Sequence, residues 1–139
     1  MRVARAHRQR GVMLIEALIG LLIFSIGILA LLGMQATAMR ATVDSKYRSE
    51  ASFLANEIIG QMWVDRNNLA NYSTPANCTA NAVCNAWLAR VQAMLPNASG
   101  ADAPTIVVAG QQVTVTIYWR RPGEPDRSTH SVVATINNS

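Results

Sequence analysis

Gln9-Arg10-Gly11-Val12-Met13-Leu14-Ile15-Glu16 runs directly into Ala17–Met34, 18 residues in which Ser25 is the one polar side chain. Between Val12 and Met39 the only ionisable residue is Glu16. A helix from Val12 to Met34 at ~1.5 Å per residue is about 34 Å long, enough to cross a hydrocarbon core of ~30 Å. A core helix of a water-soluble domain keeps a polar face, whereas this segment is apolar all round. The stretch therefore predicts a membrane-inserted helix.

Charge is distributed to match. Arg2, Arg5, Arg8 and Arg10 all precede the span, and the first ten residues contain no Asp or Glu. Of the 12 Lys and Arg, the eight beyond Gly11 balance the eight Asp and Glu there. The formal net charge of +4 thus belongs wholly to the N-terminal segment, and the case for a nucleic-acid binder built on overall basicity falls away. Basic residues ahead of the span keep the N-terminus in the cytoplasm and place the C-terminus outside, in a Gram-negative cell in the periplasm. A secretory signal would be cut after its apolar region, at small residues. Here the site-like Gly11 precedes the apolar helix, so cutting there removes the charge and keeps the anchor.

Helical periodicity continues past the span. Residues 40–66 hold no Pro and one Gly, with apolar steps at Val43, Tyr47, Ala51, Phe53/Leu54, Ile58/Ile59 and Met62. One helix of over 50 residues is expected, greasy in its first half and packed on a domain by its second. Around Asn67 the composition turns to Asn, Ser, Thr, Pro and Cys, which reads as a loop. Asn85–Leu95 reads as a short helix stopped by Pro96. Thr105–Ala109, Val113–Arg120 and Ser128–Ile136 read as strands; in the second, Val113, Val115, Ile117 and Trp119 alternate with polar or amphipathic neighbours, the mark of an antiparallel strand with one wet face. Gly110-Gln111 supplies the tighter first turn, and Arg121–Asp126 forms a turn-rich loop. The expected fold class is α+β, a long N-terminal helix packed on a small antiparallel sheet. Three zones follow: 1–11, 12–39 and 40–139.

Gly11, the Glu16 five residues later and the uninterrupted apolar helix resemble the class III leader of type IV pilins and pseudopilins. The likeness implies cleavage by prepilin peptidase between Gly11 and Val12, N-methylation of Val12, and a type IV pilin-like fold. Val12 stands where the family usually has Phe, and Gly33 stands near a position where major pilins often carry Pro. The likeness also implies that Glu16 acts in assembly and register, pairing in an apolar setting with the new amine of a neighbouring subunit. A Glu16 solvated at the interface is the plainer reading. Gly20, Gly27 and Gly33 permit close helix approach, although glycine is common in membrane helices generally.

Glu16–Gln35, Ser52–Glu57, Met62 and the strand Val113–Arg120 resemble the minor pilins within this family, with the type II secretion pseudopilin I as the nearest rival. A minor pilin is expected to meet other minor pilins and the major pilin, the pilus assembly platform and the inner membrane. It needs no cofactor, metal or nucleic acid.

Cys78 and Cys84, in an oxidising periplasm, are expected to form a disulfide closing a small loop. Two cysteines without clustered His make a poor zinc site. No catalytic constellation stands out, since neither His7 nor His130 has a nucleophile partner, which argues against a signal-anchored periplasmic enzyme. Arg120, Arg121 and Arg127 form either a basic edge for DNA or an acidic partner, or a solvated hairpin; a DNA-uptake pilin would need such an edge. Asn71-Tyr-Ser, Asn77-Cys-Thr and Asn97-Ala-Ser match the glycosylation pattern, a short motif that arises readily by chance. Trp63, Trp87 and Trp119 are expected in the core or at an interface.

Overall fold

A computed structural model describes residues 10–137, residue 10 by its backbone only. Residues 1–9 of the expected leader, His7 included, lie outside the described residues. Helix α1 runs Arg10–Val64, 55 residues. A 3-10 helix at Arg66–Tyr72, broken at Asn68, is followed by α2 (Ala76–Ala80) and α3 (Ala82–Met94). After a 3-10 turn at Gly100–Asp102 come β1 (Thr105–Ala109), β2 (Gln112–Trp119) and β3 (Ser128–Thr135). The layout is α+β, with a long apolar N-terminal helix and a small antiparallel sheet, as the sequence predicts. By contacts the chain divides into residues 1–43 and 44–139.

In the first unit every residue from Gly11 to Val43 is exposed. No core forms because no polar face exists to separate buried from wet positions. The hydroxyls turn inward instead: Ser25 Oγ donates to Leu21 O at 2.7 Å and Thr37 Oγ1 to Gly33 O at 3.1 Å. Each of these hydroxyls is satisfied within its own helix, the condition a hydrocarbon environment imposes.

In the second unit the α1 residues Ala51, Leu54, Ala55, Ile58, Ile59 and Met62 are buried. Their steps of three and four form one stripe, which meets Ile106, Val113, Val115, Ile117 and Trp119 of the sheet in a single core. Val43 and Phe53, expected in that stripe, are exposed; Leu54 takes the inward position beside Phe53. Trp63 and Val64 are exposed as well. Trp87 of α3 is fully buried, and its Nε1 donates to Leu54 O at 2.8 Å, tying α3 to α1.

The sheet order is β1-β2-β3, both pairs antiparallel. Gly110, at φ +63, makes the β1–β2 turn in the left-handed region that glycine adopts without strain.

Three sequence readings need correction. The segment after Asn67 is not simply a loop but 3-10 helix and α2, held by tertiary bonds: Asn77 Nδ2 donates to Ala70 O and to Ser73 Oγ, each at 3.0 Å. α3 starts three residues earlier than Asn85 because Asn81 caps it, its Oδ1 accepting from Val83 N at 3.0 Å and Cys84 N at 3.3 Å. Arg120 and Ile136 fall just outside β2 and β3.

Candidate functional site

The junction singled out by sequence lies in the first turns of α1, within the first unit. Gly11 and Val12 are both helical and exposed, so the bond between them sits inside the described helix. Glycine costs a helix ~1 kcal/mol relative to Ala. Gly11 therefore lowers the cost of unwinding this turn.

Val12 and Glu16 are four residues apart, which puts them on one helix face. The same face continues through Gly20 and Gly27, while Gly33 lies on another side. A Cβ added at any of these glycines meets nothing within 4 Å, so their small size serves no packing among the described residues. Among the described residues no ion pair or hydrogen bond reaches Glu16. The apolar side chains around it are largely exposed, from Val12 at 67% to Ile19 at 51%. This arrangement offers one carboxylate on a wholly apolar, uncovered cylinder.

In the second unit the three arginines lie beside acidic residues. Arg120 Nη2 lies 3.0 Å from Asp102 Oδ2, and Arg127 Nη1 lies 3.8 Å from Asp102 Oδ1. Arg121 reaches Asp44 at 4.0 Å, and the Arg127 guanidinium stacks 4.6 Å from the centre of the Tyr118 ring. Arg90 pairs with Glu57 at 2.7 Å, Arg48 with Asp44 at 3.0 Å and Lys46 with Glu50 at 3.7 Å. Each of the three arginines has an acidic neighbour, but Arg120 and Arg127 share Asp102 and Arg121 shares Asp44 with Arg48, so these carboxylates offset only part of the positive charge. Asp102 organises this region and was missed by sequence reasoning. It is the one charged residue in the buried set, and its only signal was a lone carboxylate in the connector between Pro96 and Pro104. The strand end it grips is also held through the backbone: Arg120 N donates to Pro96 O at 3.0 Å, and Asn97 Nδ2 to Arg120 O at 3.0 Å.

Cys78 of α2 and Cys84 of α3 form the expected disulfide, both residues fully buried, with Cα atoms 5.1 Å apart. Nearby, burial raises the Tyr72 phenol above its usual range, helped by the Asp65 carboxylate that accepts its hydroxyl at 3.2 Å. His130 sits in β3 opposite Ile117. Among the described residues no group of three or more His, Cys, Asp or Glu is placed to hold a metal ion. Trp87 and Trp119 are fully buried, whereas Trp63 is 46% exposed. No protein-family model, curated protein or solved structure matches the chain.

Proposed function

We propose that this chain is a minor pilin that helps prime assembly of type IV pili, in a tip complex with other minor pilins. The quoted segments look like the minor pilin PilV, the type IV pilus modification protein. The observation that carries the reading is the uncovered helix Gly11–Val43, with Glu16 as the sole charge between Gly11 and Met39 and a run of arginines before it. Such a segment is long and apolar enough to span a membrane. Prepilin peptidase cuts after Gly11, Val12 is methylated, and the chain stays in the inner membrane with its C-terminus in the periplasm until extraction into the pilus by the assembly platform.

In the filament Glu16 meets the Val12 amine of a neighbour. Unpairing a buried charge costs ~3–5 kcal/mol, which at ~1.4 kcal/mol per decade is a loss of two to four orders of magnitude in incorporation. Glu16→Ala is therefore expected to leave cleavage and membrane insertion intact and to remove the chain from sheared pili. Gly11→Leu is expected to leave the precursor uncut. A mature N-terminus other than Val12, or Glu16→Ala chains present in pili at the wild-type level, would refute the proposal. Deletion of the gene should reduce surface pili and twitching. Loss of protein secretion with pili unchanged would move the assignment to the type II secretion pseudopilin.

A further inference from the structure

Three segments match the Asn-x-Ser/Thr acceptor pattern, and the structure separates them by what each amide nitrogen already does. Asn77 spends both Nδ2 hydrogens, donating to Ala70 O and to Ser73 Oγ at 3.0 Å each. Those bonds hold the 3-10 helix against α2, and a group attached to this nitrogen removes at least one of them. Asn97 Nδ2 donates to Arg120 O at 3.0 Å, and the Asn97 backbone sits at φ +56. A substituent there must clear the strand end to which the nitrogen is bonded. Asn71 differs from both. It is exposed near the end of the 3-10 helix Arg66–Tyr72, and among the described residues neither polar atom of its side chain makes a hydrogen bond.

A second observation lies beside it. Asn71 shares the lining of a cleft of ≈ 320 Å³ with Asn77, Ala80 and Asn81. No Lys, Arg or His lines this cleft, so a phosphate or carboxylate would find no counter-charge there. Three neutral carboxamides and an alanine suit the hydroxyl groups of a sugar, and Asn77 Oδ1 is free to accept from one among the described residues. Asn71 and the other residues of the cleft all belong to the second unit.

We propose that Asn71 is an N-glycosylation site, with the first sugar of its glycan seated over the carboxamide-lined cleft. The proposal rests on the periplasmic placement of residues 44–139 given above, which sets the donor class as a glycosyl polyprenyl diphosphate. In the transfer, Asn71 Nδ2 forms a bond to the anomeric carbon and the bond from that carbon to the diphosphate oxygen breaks. The electron pair leaves with the diphosphate, and the amide nitrogen gives one proton to a base of the transferase. Tyr72 is buried and Ser73 Oγ donates to Ala70 O at 3.0 Å, so the folded segment does not present the motif extended with its hydroxyl free. Transfer therefore precedes folding of this segment. The fold then accommodates the glycan at Asn71, where no bond is lost, and disfavours it at Asn77 and Asn97, where bonds are.

The test is peptide mapping by mass spectrometry of the full chain purified from the membranes of its own cells. Trypsin cuts after Arg66 and Arg90, which places Asn71 and Asn77 in the peptide 67–90 and Asn97 in the peptide 91–120. The expected result is a sugar mass on 67–90, assigned to Asn71 by electron-transfer fragmentation, with Asn77 and Asn97 bare. Asn71→Gln removes the mass and keeps the Cys78–Cys84 bridge, since Asn71 holds no bond in the fold. Ser73→Ala removes it although Asn71 is present, and Ser73→Thr retains it. A sugar on Asn77 or Asn97 instead, or a mass on Asn71 that survives Ser73→Ala, overturns the proposal. A bare 67–90 peptide with Cys78 and Cys84 bridged also overturns it while leaving the periplasmic placement standing, and a bare peptide with both cysteines reduced overturns the two together. A sugar on Asn71 of a chain that never enters pili sustains the site and refutes the filament assignment.

Discussion

Replacing Asp102 by Ala is expected to destabilise the second unit by about 2 kcal/mol. The carboxylate is 9% exposed and receives Arg120 Nη2 at 3.0 Å, and a hydrogen bond to a charged group contributes ~1.5–3 kcal/mol. Arg120 is itself 43% exposed, so solvent screening places this pair toward the lower end of that range. The Arg127 contact, at 3.8 Å with a 52% exposed guanidinium, adds only ~0.2–0.5 kcal/mol on the scale of surface pairs. For a domain of this size ~2 kcal/mol lowers the thermal midpoint by about 8–16 °C. The assay is thermal unfolding of the full chain in detergent, followed by near-ultraviolet circular dichroism so that the signal reports the packed aromatics. Asp102→Asn keeps an acceptor for Arg120 and should lose about half as much. The same change leaves Arg120 and Arg127 unmatched, so binding to a polyanion should strengthen and become more salt-dependent. A midpoint within 2 °C of wild type for Asp102→Ala would show that the carboxylate is a bystander and that the β2–β3 loop is held by its backbone bonds alone.

Three further outcomes follow from the second unit. Tyr72 has a raised phenol pKa, so its stabilising contribution is complete below the ordinary value of 10.0 and is lost as pH climbs through the folded value; Tyr72→Phe should flatten the alkaline fall of a stability–pH curve, and an unchanged fall would refute this. Removing the Cys78–Cys84 bridge by a double Ala substitution opens a loop with a sequence separation of 6, which costs ~2 kcal/mol by chain entropy; equal midpoints for oxidised and bridge-free protein would contradict it. Trp87→Ala should cost ~3–5 kcal/mol, while Trp87→Phe should cost less because it retains most of the buried ring. Denaturant titration would separate the two, and equal losses would mean that the bond to Leu54 O dominates over packing.

The long helix and the three strands were legible because each repeats a simple period over many residues. No Pro occurs between Val12 and Val64, and β2 alternates without a break. The region from Arg66 to Ala80 was not legible as helix. Its short turns depend on bonds such as Asn77 to Ala70 and Thr74 to Ile106, and local propensity carries no trace of such partners. Asn81 is the exception in kind: an Asn just ahead of an apolar-periodic stretch is a helix-start signal, and reading it would have placed the α3 boundary correctly. At the junction, Gly11, Val12 and Glu16 were visible as residues, and the structure adds their common helix face and exposure. The arginine cluster was visible in the sequence, but the pairing of Arg120 and Arg127 depends on Asp102, which lies well before them along the chain.

The uneven burial of the tryptophans has an optical consequence. Trp87 and Trp119 are sealed from solvent, while Trp63 is 46% exposed on α1. Iodide or acrylamide should therefore quench only one of the three emitters in the unlabelled protein, and that emitter stands on a partly exposed flank of α1. A partner or detergent layer covering this surface would shift the Trp63 emission to the blue and shield it from quencher, with the other two serving as an internal standard. The chain thus carries its own fluorescent gauge of whether this flank of its helix is occupied.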